Sequence, residues 1–141
     1  MVWKVCGIVA SLAMLAFTIM CYTMGYCGGV LECGTSSVPM HCYYAYQAAM
    51  GIGVGGFACG LVGLTQKDAS ARRIAALAIC VCVLVALAVL WVLVGVCANA
   101  SMSCNVNRLP ISGVAAVAMV AAIVGAIKAN DAIAAAPKAK L

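Results

Sequence analysis

Ten cysteines and a single histidine are the side chains of this 141-residue chain that most invite a chemical reading. The densest stretch is LECGTSSVPMHCYYAYQAAM, residues 31–50, where Cys33 and Cys42 flank eight residues that include Pro39 and His41. Three chemistries compete for it: a metal centre, a redox pair and a disulfide. Zinc takes three or four ligands at regular spacings, and an adjacent His41–Cys42 with one remote Cys33 is not such a pattern. A membrane thiol redox enzyme would use Cys-x-x-Cys, which the sequence lacks. Cys80-x-Cys82 lies inside an apolar run, where cysteine behaves as a small hydrophobe. Catalysis needs clustered acids and bases, and this chain has three carboxylates and one histidine, well separated. The reading is of a protein that is not an enzyme, with no catalytic, cofactor-binding or metal-binding residues. A disulfide is the expected fate of the loop cysteines.

The elements that must position these residues follow from composition. Hydrophobic residues make up 67% of the chain and charged residues 8%, against about 25% charged in an average soluble domain. Mean hydropathy is +1.19. Eleven charged side chains cannot cover so much apolar surface in water, so the medium is lipid. A helix needs about 20 apolar residues to cross the hydrocarbon, and four runs qualify: residues 5–26, 43–65, 74–98 and 109–127. Backbone polar groups in lipid must be satisfied internally, so each run is read as a helix, with Pro110 in the first turn of the last. The second run is weakened by Gln47 and six glycines, and the third is the strongest. The fold class is all-α, a single four-span bundle over residues 1–127 followed by a basic, Ala-rich tail at 128–141. Only Lys4 precedes the first run, which exceeds a signal-peptide core, so it is expected to stay as an anchor.

Lys and Arg set the orientation. With the start of the chain inside, Lys4, Lys67, Arg72, Arg73, Lys128, Lys138 and Lys140 are cytoplasmic and Arg108 alone is outside. Both termini are then cytoplasmic, and residues 27–42 and 99–108 form two short external loops. Trp3 marks the inner end of the first helix, and Tyr22, Tyr26, Tyr43, Tyr44 and Tyr46 gather at the outer boundary. The net charge of +5 is scattered around apolar runs, the pattern of membrane-flanking charge, and nucleic acid is not expected as a partner. Cys6, Cys59, Cys80 and Cys82 fall in inner parts of spans, and Cys21 in the outer third of the first. Cys27, Cys33, Cys42, Cys97 and Cys104 fall in or beside the external loops, where an oxidising compartment favours disulfides. Cys33 with Cys42 and Cys97 with Cys104 are the local pairings; bridges between the loops stay open, because sequence does not fix connectivity. Asn99-Ala100-Ser101 is a glycosylation sequon on the same side.

Two pairs on the second helix, Gly51/Gly55 and Gly56/Gly60, have the small-xxx-small spacing that lets helices approach closely in lipid. They serve packing within the bundle or against a neighbouring subunit. Gly51-x-Gly53-x-x-Gly56 matches a dinucleotide fingerprint but follows no strand. No charged side chain lies mid-span, so there is no proton relay or gating charge. Asp68 or Ser70 is expected to cap the third helix. The last helix is expected to run on towards Pro137, and Ala139-Lys140-Leu141 is a chance match to a peroxisomal address.

Gly29-Val30-Leu31-Glu32-Cys33, a second Cys42 after eight residues, Tyr46-Gln47-Ala48-Ala49 at the head of helix two and Arg72-Arg73 before helix three together resemble the claudin-like tetraspan group, amastin-type surface proteins included. Members carry a Gly-Leu-Trp-x-x-Cys signature; here the tryptophan is missing, with Leu31 nearby. The first loop has room for at most one hairpin. The resemblance implies a disulfide-stapled tetraspan. The expected location is the plasma membrane or another secretory-pathway membrane, with an organelle membrane the alternative. The expected role is structural: lateral packing in the lipid bilayer as a homo-oligomer or with other membrane subunits. A small channel or transporter subunit and an accessory subunit of an energy-transducing complex are the alternatives.

Overall fold

The computed structural model describes residues 2–25, 30–33, 36–94 and 101–135, with residues 30–33 and 36–38 described as backbone only. Its elements are α1 (Val2–Met24), a hairpin of β1 (Val30–Cys33) and β2 (Ser36–Pro39), α2 (His41–Thr65), α3 (Ala69–Ala88), the short α4 (Ser103–Val106) and α5 (Arg108–Ala135). A π-helical turn, Val89–Leu93, extends α3. Four helical stretches are long and apolar enough to cross a membrane: Val2–Met24, His41–Thr65, Ala69–Leu93 and Ser103–Ala135. The chain is therefore read as an integral membrane protein built of four spans.

The buried positions explain why the helices assemble as they do. On α1 they include Ala10, Met14, Phe17 and Cys21; on α2, Cys42, Tyr46, Ala49, Gly53, Gly56 and Gly60. On α3 and its π-turn they include Ile79, Val83, Ala86 and Leu90, with Val89 beside the last; on α5 they are Ile111, Ala115, Ala118, Ala122 and Ala129. Steps of three and four alternate on every helix, the 3.5-residue repeat that keeps one seam facing a partner in a left-handed bundle. Small residues dominate the seams of α2 and α5; Met14, Phe17, Val83 and Leu90 supply the bulk that fills the space between them. Each helix packs against two others, α1 on α2 and α5, α3 on α2 and α5, so the four close into a ring. Outward-facing Val, Leu and Ile along all four helices suit a lipid surround, in which their exposure carries no penalty.

The helices start and stop elsewhere than the apolar runs do. The run at residues 74–98 is preceded by five helical residues that include Arg72 and Arg73, and α5 continues through Lys128 to Ala135. Charge ends a hydropathy signal but not an i→i−4 ladder, which continues until the backbone turns. The first eight residues of the expected tail are thus part of α5, with Ala129 buried and Arg73 donating to Asn130 Oδ1 at 3.2 Å. Asp68 does occupy the N-cap position of α3, without the side-chain hydrogen bond expected of a cap. Pro110 lies in the first turn of α5, where its missing N–H costs nothing. One antiparallel hairpin fills the first loop, pairing Val30 with Pro39 and Cys33 with Ser36.

Candidate functional site

The candidate site is built from packing faces and from the polar ties at the two ends of the ring. α1 and α2 approach most closely. An added Cβ on Gly53 would run into Thr18 Oγ1, on Gly56 into Met14 Cε, and on Gly60 into Ser11 Oγ. Side chains of α1 therefore occupy the volume the glycines vacate, in an antiparallel register that continues to Gly7 opposite Leu64 and to Gly25 opposite Tyr46. Ser11 and Thr18 keep their hydroxyls bonded to Gly7 O and Met14 O on their own helix, so neither brings an unsatisfied donor into the seam.

This sorts the four glycines singled out in the sequence. Gly56 and Gly60 pack on α1; Gly51 and Gly55 do not, since a Cβ on either would meet nothing within 4 Å. Gly53, which the small-xxx-small spacing passed over, joins the packed set. The open pair belongs to a second seam, Ala48, Gly51, Gly55, Ala58 and Val62, exposed along its length and again spaced by threes and fours.

At the end of the ring where α1 begins, the Arg72 guanidinium lies 3.8 Å from the centre of the Trp3 ring. Arg72 also donates to Gln66 O at 2.9 Å and to Lys67 O. One side chain of α3 thus closes the C-terminal end of α2, where carbonyls lack helical partners, and binds α1 through a cation–π contact. At the opposite end the Arg108 guanidinium lies 3.7 Å over Trp91, whose indole N–H donates to Ser112 Oγ at 2.9 Å. Both tryptophans of the chain are therefore paired with arginine. The π-turn places Trp91 outward while Leu90 stays fully buried; a wide turn of this kind has no sequence signal, and none was available to find it.

The cysteines expected in disulfides are placed as follows. Cys42 lies in the first turn of α2 and Cys104 in α4, both fully buried, rather than in open loop. Cys33 ends β1 at the turn of the hairpin, with its side chain outside the described residues; Cys97 and Asn99 also lie outside them. Tyr46 departs from expectation. It is 1% exposed and donates its hydroxyl to the Cys104 carbonyl at 2.7 Å, so it belongs to the core and not to an interfacial belt. Tyr22 and Tyr44 remain exposed. Asn107 Nδ2 donates to Met24 O at 2.6 Å, closing the end of α1. Among the described residues no group of three or more His, Cys, Asp or Glu is arranged to hold a metal ion.

A four-helix membrane bundle whose distinguishing features are its seams is what the fold defines. Residues 4–129 match the family described as "Domain of unknown function (DUF4418)", and the chain belongs to that family. Neither the curated proteins nor the solved structures contain a significant match to it.

Proposed function

We propose that the protein is a non-enzymatic structural component of a membrane, packing laterally with copies of itself or within a larger membrane complex. The observation that carries this reading is the open seam of α2, at whose centre Gly51 and Gly55 have no neighbour within 4 Å of an added Cβ. The inner seam uses its glycines to admit α1. A lipid-facing helix gains nothing from bare glycine, which costs roughly 1 kcal/mol of helix propensity relative to Ala, unless another helix comes close. The orientation with both termini cytoplasmic is supported by Lys4, Lys67, Arg72, Arg73 and Lys128, which all fall at the end where α1 starts and α5 ends.

The external cap is read as disulfide-braced, in keeping with the claudin-like layout and with a plasma or secretory-pathway membrane. Cys33 ends β1 at the turn of the hairpin and Cys42 lies in the first turn of α2; the pairing among Cys33, Cys42, Cys97 and Cys104, within the loops or between them, stays open.

Gentle detergent extraction followed by native mass measurement tests the assignment. Homo-oligomers, or defined assemblies with other membrane subunits, are the expected species. A chain that remains monomeric across mild detergents and in vesicles contradicts it.

A further inference from the structure

Two apolar grooves open sideways between helices of the ring, and they differ in how they end. The groove between α1 and α5, about 390 Å³, is lined by Val9, Ala116, Val117, Val120 and Ala121, with no polar group. The other, about 480 Å³, lies between α2 and α3 and includes Ala58, Val62, Gln66, Ala71, Ile74 and Ala78. It begins in the apolar part of the bundle and ends at Gln66, directly before the exposed Lys67 of the α2–α3 turn. It spans nine residues from Ala58 to Gln66 and eight from Ala71 to Ala78, about 10–12 Å of rise, which fits within the roughly 15 Å of hydrocarbon that one leaflet supplies.

Charge at that end favours an anion. Lys4, Lys67, Arg72, Arg73 and Lys128 gather there. Of the carboxylates among the described residues at that end, Asp68 and Asp131, the second is engaged with Lys128 at 3.3 Å. Arg72 is held by Trp3 and the α2 carbonyls and Arg73 by Asn130, while Lys67, exposed in the α2–α3 turn, directly follows the groove-lining Gln66. We propose that the α2–α3 groove is a binding site for an anionic phospholipid, one acyl chain lying between the helices and the headgroup phosphate meeting Lys67. A monomer would carry the site; Ala58 and Val62 are shared with the far end of the open α2 seam, so a neighbouring copy and the acyl chain meet there.

The test uses the full chain, purified in a nonionic detergent and stripped of lipid, then titrated with phosphatidylglycerol, phosphatidylcholine or glycerol 3-phosphate. Native mass counts bound molecules, and thermal unfolding reports stabilisation of the occupied state. Phosphatidylglycerol is expected to bind at least about fivefold more tightly than phosphatidylcholine, whose choline cancels the phosphate charge; this is the effect of one cation beside a net anionic headgroup. Lys67→Gln is expected to remove that preference. Ala78→Leu, or Ala71→Leu if the first variant does not fold, is expected to weaken both lipids by filling the groove, while Ala116→Leu in the α1–α5 groove leaves them unchanged. Glycerol 3-phosphate is not expected to displace the lipid. Equal binding of the two lipids, a preference intact in Lys67→Gln, unchanged binding in the groove variant that folds, or displacement by glycerol 3-phosphate would each overturn the proposal.

Discussion

Gly60 of α2 sits so tightly against Ser11 of α1 that an added Cβ would lie 3.0 Å from the Ser11 Cβ and 3.4 Å from its Cα. The second of these atoms is backbone and cannot rotate away. At Gly56, by contrast, the obstruction is chiefly the Met14 Cε methyl, the free end of a flexible chain. Overpacking a well-filled seam costs about 1–3 kcal/mol, so Gly60→Ala should fall within that range and Gly56→Ala below it. Unfolding in mixed micelles of the two variants beside the parent chain measures the difference. Equal destabilisation would mean that the α1–α2 register is not as described.

Arg72 makes a tie that lysine cannot reproduce. Its planar guanidinium lies over Trp3 while its N–H groups reach Gln66 O and Lys67 O; an ammonium lacks both the flat face and the fork. Arg72→Lys should cost about 1–2 kcal/mol despite conserving the charge, with Trp3→Leu removing the cation–π part alone. Thermal unfolding gives the loss, and Trp3 fluorescence should shift in Arg72→Lys as the ring loses its cation. An unchanged spectrum would contradict the stack.

Tyr46→Phe keeps the ring and removes only the hydroxyl that reaches the Cys104 carbonyl. That carbonyl belongs to a fully buried residue, so the variant should lose about 1 kcal/mol. Faster amide exchange is expected in α4 and at the start of α5, with little change at the end where Trp3 lies. Exchange that rises equally at both ends would show that the hydroxyl does not act locally.

The bridges proposed for the cap are checked by alkylation with and without reductant. Protection of Cys33, Cys42, Cys97 and Cys104 until reductant is added is the expected result, and the masses of the bridged peptides give the connectivity. Full labelling of all four without reductant would rule the brace out.

The architecture was legible in the sequence because lipid imposes one requirement on every span, length of apolar helix, and the composition states it openly. Four runs became four helices, and Pro110 fell where a helix start tolerates it. What was not legible depends on partners that a linear pattern does not name. Tyr46 reads as one more aromatic at a membrane boundary until the Cys104 carbonyl is seen beside its hydroxyl. Gly51, Gly55, Gly56 and Gly60 share one spacing, yet two of them pack and two face outward, because the phase of the 3.5-residue seam is set by α1. The π-turn at Val89–Leu93 and both arginine–tryptophan pairs join residues distant in the chain, and no local periodicity marks them. The start of α3 reads too late, after Arg73, since hydropathy ends where charge begins while backbone hydrogen bonds do not; the run of α5 past Lys128 to Ala135 follows the expected continuation towards Pro137.

Lateral assembly through the open seam of α2 is tested most directly by energy transfer between differently labelled copies of the chain in lipid vesicles, for the parent, Gly51→Leu, Gly55→Leu and the double variant. Among the described residues nothing lies within 4 Å of a Cβ added to either glycine, so monomer stability should not fall and should rise by up to about 1 kcal/mol per site as helix propensity improves. Transfer should fall towards the level of chance encounter in Gly55→Leu and reach it in the double variant. Transfer that persists undiminished in the double variant, with the fold intact, would contradict the account.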